Sequence, residues 1–209
     1  MFRGPAGALE GLWKEATGER RGSAVFAHPH PLHGGTMHNK VVYRAVQALT
    51  RSGYATLRFQ FRGVGRSQGL HDAGRGEVQD FRAALDQAER RGGLPILAGG
   101  FSFGAAVALK AVPEETRVAG FLGLGLPVAT ESGHEMPRPS VPALFLVGER
   151  DTFGPPDELA RFLQGAARVV VIPDADHFFE GHLDAVEAQI RSFLESLAHE
   201  PGAAAGKAS

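Results

Sequence analysis

The apolar run Leu94–Gly99 enters the pentapeptide Gly100-Phe101-Ser102-Phe103-Gly104, and a small-residue stretch, Ala105 to Leu109, leaves it. Strand, Gly-x-Ser-x-Gly, then helix is the pattern of a serine held on a sharp turn with its hydroxyl aimed away from the sheet edge. A side chain at Gly100 or Gly104 would crowd such a turn. Ser102 itself must take an unfavourable backbone conformation, costing about 1–3 kcal/mol and normally kept only at functional sites. The feature demands a sheet whose strands run directly into helix N-termini.

The rest of the chain supplies one. Ala8–Glu15 and Ser23–His28 read as strands joined by a tight connection through Thr17–Gly22. Val42, Ala45, Val46 and Leu49 recur at helical spacing, as do Val78, Phe81, Leu85 and Ala88. Tyr54–Phe61 is a strand rich in aromatic and aliphatic residues. Val118–Leu126 and Val141–Val147 are continuous apolar runs bounded by Gly and Pro, as buried parallel strands are. Leu159, Phe162 and Leu163 mark a further helix, Arg168–Ile172 a strand, and Leu183 to Leu197 the last helix. This alternation predicts an α/β fold, a mostly parallel sheet of about seven strands with helices on both faces. The connection Pro127–Ser140 is too short to fold into a cap domain. A single domain is expected over residues 1–199, with 200–209 as a disordered tail.

Ligands of such sheets bind beyond the carboxyl ends of the strands. Asp151 follows the Val141–Val147 strand and His177 follows Arg168–Ile172. A serine hydroxyl needs a base to take its proton and a group to hold that base. The order Ser102, Asp151, His177 is the order this architecture uses. Ser102 is therefore read as nucleophile, His177 as general base and acid, and Asp151 as the group orienting the imidazole. Asp174, Asp176 and Asp157 rank below Asp151. Because the base must be unprotonated, activity is expected to fall in acid. An oxyanion needs preorganised N–H donors. The first expected is the backbone N–H of Phe103, at a helix start. The second comes from the loop after Ser23–His28; Pro29 and Pro31 have no N–H, which leaves His30, with Leu32 as fallback.

Composition closes off other chemistries. With no cysteine there is neither a disulfide framework nor a thiol nucleophile. A net charge of −1 argues against nucleic acid or a membrane surface held by bulk charge. The first residues lack an apolar signal core and no run of 18 apolar residues occurs, so a cytoplasmic address is expected.

Four segments, His28–Lys40, Arg58–Gly69, Gly99–Gly104 and Asp174–Phe179, make the chain resemble the α/β-hydrolase superfamily. Within it they resemble the small, lidless bacterial hydrolases carrying a His-Pro-His-Pro-x-x-Gly-Gly loop. Gln60 stands where that subgroup has Asn. The resemblance implies ester or thioester hydrolysis through an acyl-enzyme on small acyl substrates, with no cofactor. The partner expected is a small-molecule ester, with the chain a monomer or homodimer. Arg62, Ser67, Asp72 and Glu77 also belong to the family pattern, and are read as a structural brace. The open site is expected to be lined from among Leu32, Phe101, Phe103, His134, Met136, Phe153 and Phe178.

Two rival readings attach to specific features. His28, His30 and His33, with His38 and Asp72 within reach, have the look of zinc-ligand spacing for a metal-dependent hydrolase. The intervening prolines force an extended path, and Leu32 occupies the place of the aspartate in a His-x-His-x-Asp-His signature. The other rival is a non-catalytic binding module on the same fold.

Overall fold

Successive residues of a strand face opposite sides of its sheet, and this chain uses both sides. On β4 (Gly22–Ala27), Ala24 and Phe26 join one buried apolar layer, whereas Val25 and Ala27 join the other. The structure, a computed structural model, describes residues 1–129 and 136–199; the expected tail 200–209 lies outside the described residues.

β3 (Gly11–Lys14), β4, β5 (Tyr54–Phe59), β6 (Ile96–Phe101), β7 (Val118–Leu124), β8 (Ala143–Gly148) and β9 (Arg168–Ile172) form one sheet. Its order is β3-β5-β4-β6-β7-β8-β9, parallel except for β3, which runs antiparallel to β5. The strands anticipated on either side of Thr17–Gly22 are therefore not neighbours, because β5 lies between them. A two-stranded hairpin, β1 (Phe2–Gly4) with β2 (Gly7–Leu9), precedes the sheet.

α1 (Lys40–Arg51) and α5 (Leu183–His199) cover one face of the sheet; α2 (Arg75–Gly92), α3 (Phe103–Ala111) and α4 (Pro156–Leu163) cover the other. α1 starts at Asn39, whose side-chain oxygen accepts the Val41 N–H at 2.8 Å. A cap of this kind contributes about 1 kcal/mol. α1 and α5 are tied by Glu187, nearly buried, which accepts from Arg44 at 3.0 Å and Arg51 at 2.6 Å. Burial alone would raise the Glu187 carboxyl, but the two guanidinium groups overturn that and hold it below the usual carboxylate range. Among its described residues the connection between β7 and β8 contains no helix or strand. No helix among the described residues is long and apolar enough to cross a membrane.

Candidate active site

The carboxyl ends of β4, β6, β8 and β9 open on one rim, and four loops leaving them build the site. Ser102 follows β6 with φ 54° and ψ −122°, a conformation outside the ordinary L-residue regions. The turn is held from both sides. The Ser102 N–H donates to Leu124 O at 2.8 Å, and Ser102 O accepts from Ala105 N at 2.9 Å. A Cβ at Gly100 would lie 2.4 Å from Gly104 C, and one at Gly104 would lie 2.4 Å from His28 O. Only glycine lets α3 pass that close to both strands.

Two loops bring the partners together. The Glu149 N–H donates to Ile172 O at 3.0 Å and the Arg150 N–H to Ala175 O at 2.9 Å, fastening the loop after β8 to the loop after β9. Asp151 Oδ1 accepts the N–H groups of Phe153 and Gly154 at 2.9 and 3.0 Å. That leaves Oδ2 for His177 Nδ1, 2.8 Å away, and His177 Nε2 lies 2.9 Å from Ser102 Oγ. Both Asp151 and His177 are buried. Asp174 instead pairs with Arg150. Asp176 accepts from Phe178 N and Glu180 N at 3.0 Å each, and Asp157 lies in the first turn of α4. The imidazole of His177 is packed among the rings of Phe153 (centroids 4.7 Å), Phe101 (5.2 Å) and Phe178 (5.2 Å). Such packing fixes its rotamer.

Phe103 is the first residue of α3, so its N–H has no acceptor within the helix. Across from it lies the loop after β4. His30 O accepts from His33 N at 3.1 Å and Gly35 N at 3.0 Å, folding Pro31–His33 into a single tight turn. The His30 N–H has no hydrogen-bond partner among the described residues. Its ring, 4.8 Å from that of Phe103, is held below the ordinary histidine value by burial and by the neighbouring imidazoles of His33 and His71.

His28 takes no part in the site. It is fully buried, its Nε2 accepts the Phe61 N–H at 3.1 Å, and its Nδ1 lies 2.7 Å from Pro29 O. Both ring nitrogens are thus committed to backbone, joining the loop after β4 to the loop after β5. The trio His28, His30 and His33 cannot share an ion while His28 is held this way. No group of three metal-ligating side chains occurs among the described residues.

A cavity of about 480 Å³ opens over Ser102. It is lined by Pro127, by His177 with the Phe153 and Phe178 rings packed on it, and by His30, His33, Gly34, Gly35 and Asn39 of the loop after β4. Of the residues expected there, Phe103, Phe153 and Phe178 do line it, and Leu32 and Phe101 do not. Leu32 points to solvent from its tight turn, 70% exposed. Phe101 is fully buried, since the alternation of β6 sends it into the layer under α1 and α5, where it supports His177 from behind. Met136 is buried in the opposite layer, and His134 lies outside the described residues. Asn39, His33 and the Gly34–Gly35 pair were missed as lining residues, although they fall within the His28–Lys40 segment.

Arg62 forms a two-pronged pair with fully buried Asp80, at 2.9 and 2.8 Å. Glu77 accepts the N–H groups of Asp72 and Gly74, both at 2.9 Å, and Ser67 Oγ donates to Gln60 O at 2.8 Å. Each of these ties loop backbone to the fold, and none lines the cavity.

A parallel sheet of this order, a strained serine between β6 and α3, and a serine–imidazole–carboxylate chain define the α/β-hydrolase class. A family model described as "Alpha/beta hydrolase domain" matches residues 21–200, and the chain belongs to that family. It is 36% identical over 210 residues to an uncharacterized protein of Rickettsia prowazekii, covering 94% of this chain and 88% of that protein. Among solved structures it is similar to an alpha-beta serine hydrolase homologue from Coxiella burnetii, with TM-score 0.86 and 36% identity over 91% of this chain and 93% of that one. It is also similar to a serine hydrolase without lid from Xanthomonas campestris, with TM-score 0.85 and 28% identity over 93% and 92% of the two chains.

Proposed function

We propose that this hydrolase cleaves small carboxylic esters, and thioesters by the same route, through an acyl-serine intermediate. The observation that carries the reading is the unbroken relay from Ser102 Oγ through His177 to Asp151, at 2.9 and 2.8 Å. In this reading Ser102 Oγ attacks the carbonyl carbon while His177 Nε2 takes its proton, and Asp151 stabilises the imidazolium through Nδ1–H. The carbonyl oxygen, now an oxyanion, is held by the N–H groups of Phe103 and His30. Donors of this kind are each worth about 2.7–4 kcal/mol of barrier. The intermediate collapses as His177 returns its proton to the leaving oxygen. Water, deprotonated by the same ring, then attacks the acyl-serine and restores Ser102. The proposal includes a cytoplasmic, cofactor-free enzyme; its place in the lidless subgroup is supported by the His-Pro-His-Pro-x-x-Gly-Gly loop and by the likeness to the serine hydrolase without lid from Xanthomonas campestris.

The test is turnover of p-nitrophenyl acetate, with Ser102→Ala expected to lower kcat at least about a thousandfold. A fluorophosphonate should label Ser102 in the wild type. Loss of activity on chelation with recovery on adding zinc, or no turnover and no labelling, would overturn the reading.

A further inference from the structure

Asn39 is held three times over at the start of α1. Its own N–H donates to Thr36 O at 3.0 Å, its carbonyl accepts from Tyr43 N at 2.9 Å, and its side-chain Oδ1 accepts the Val41 N–H at 2.8 Å. The last bond fixes the amide's orientation, because only the oxygen can face an N–H donor. The NH2 end makes no hydrogen bond among the described residues, and Asn39 lines the same cavity as Ser102. A preorganised, unspent donor beside a nucleophile is a place to read substrate.

Which part of the substrate it reads follows from where the proton goes. His177 protonates the leaving oxygen, so the alcohol must lie on the His177 side of the cavity. That side carries Phe153 and Phe178, in ring contact with His177 and both 47% exposed. The acyl group is left to the wall made by the loop after β4, where Asn39 sits. Among the described residues the cavity lining contains no Lys or Arg, and the nearby Lys40 is engaged by Glu180. With no fixed positive charge there, a neutral acceptor fits this wall better than a carboxylate.

Resting on the esterase reading above, we infer that Asn39 is a specificity-determining donor. It selects esters whose acyl group carries an uncharged acceptor oxygen, an ether or a ketone, while an apolar alcohol leaves along Phe153 and Phe178.

Matched p-nitrophenyl esters test this: methoxyacetyl against butanoyl, and 4-oxopentanoyl against 4-methylpentanoyl. Each pair is close to isosteric and differs in one acceptor oxygen. Asn39→Asp keeps an oxygen for the Val41 N–H and suits a helix N-terminus, so folding is preserved while the donor is lost. Asn39→Gly, a tolerated N-cap with no side-chain donor, is the second variant. Within each pair, the kcat/KM ratio of acceptor-bearing to hydrocarbon ester is expected to fall about 3–10-fold from wild type to either variant, the worth of one neutral hydrogen bond. Intrinsic reactivity cancels in that comparison. An unmoved ratio overturns the inference, as does a larger effect when the acceptor is placed in the alcohol (2-methoxyethyl against butyl acetate). Labelling of Ser102 by a fluorophosphonate separates the two levels. A labelled, active enzyme with an unmoved ratio refutes only the role of Asn39. An unlabelled serine with no ester cleaved refutes the esterase reading as well.

Discussion

His28 and His177 are the same side chain in opposite circumstances, and the partners of their ring nitrogens set the difference. In the sequence His28 stood with His30 and His33 as a set of possible ligands, since spacing says nothing about what each nitrogen faces. In the fold one nitrogen of His28 takes the Phe61 N–H and the other faces Pro29 O, so the ring can hold no further proton without breaking a bond. Burial accordingly pushes its pKa from 6.5 down to about 4, against the smaller upward pull of Pro29 O. The unfolded chain protonates this ring near pH 6.5 while the folded one stays neutral to about pH 4. Across that window the unfolded state binds the extra proton, so stability is full above it, falls as pH drops through it, and loses nothing more below. The loss attributable to His28 is on the order of 3 kcal/mol. Urea unfolding of wild type and His28→Gln between about pH 7 and about pH 4 measures it; the wild type should lose more stability on acidification than the variant. Equal slopes would show that another group carries the acid sensitivity.

At the scale of elements, the turn joining β6 to α3 was legible because its constraint is local: a serine at φ 54° needs small neighbours, and glycines stand on both sides. The cost of violating it can be measured. Gly104→Ala would bring a Cβ to within 2.4 Å of His28 O and 2.8 Å of Ala27 C, both backbone atoms of the neighbouring segment that cannot swing aside. Overpacking of this kind costs about 1–3 kcal/mol or more, and here it also displaces Ser102 from His177. Gly104→Ala should therefore lose activity out of proportion to its lowered urea midpoint; retention of both would mean that α3 is free to shift. Element edges were less legible than the turn, because ladder partners decide them. β6 begins at Ile96 rather than Leu94, since Pro95 has no N–H to donate and its carbonyl serves Ser23 N at 3.0 Å. It runs on to Phe101 because Gly100 and Phe101 pair with Gly123 and Leu124. The stretch Ala8–Glu15 divides at Glu10, whose N–H donates to Ser67 Oγ and whose carbonyl accepts from Gln60 N. The partners of Glu10 are far away in the chain, so no local pattern announces the break.

The arrangement of the whole molecule is where sequence reading is weakest and where the site is made. Alternating helices and strands imply a parallel sheet, but the placing of β4 between β5 and β6, with β3 turned antiparallel at the edge, follows from long-range pairing that single-residue patterns do not encode. The rim itself was legible from position alone, since Ser102, Asp151 and His177 each follow a strand end. The pocket walls were not, because Leu32 and Phe101 differ from Phe153 and Phe178 in direction rather than in type. Over this rim the β7–β8 connection carries no helix or strand among its described residues. The cavity of about 480 Å³ is lined in part by the aromatic side chains of Phe103, Phe153 and Phe178. Its size suits a small ligand, and among the described residues of that connection there is no folded cap to move before substrate enters. Under the esterase reading, kcat/KM across a series of p-nitrophenyl acyl esters should be highest among acetyl to butanoyl and fall steeply by dodecanoyl. The rate on tributyrin should rise smoothly through its solubility limit, without the jump that opening of a lid at an oil–water interface produces. A preference for long chains, or a jump at the limit of solubility, would require a moving element over the cavity and would contradict an open rim.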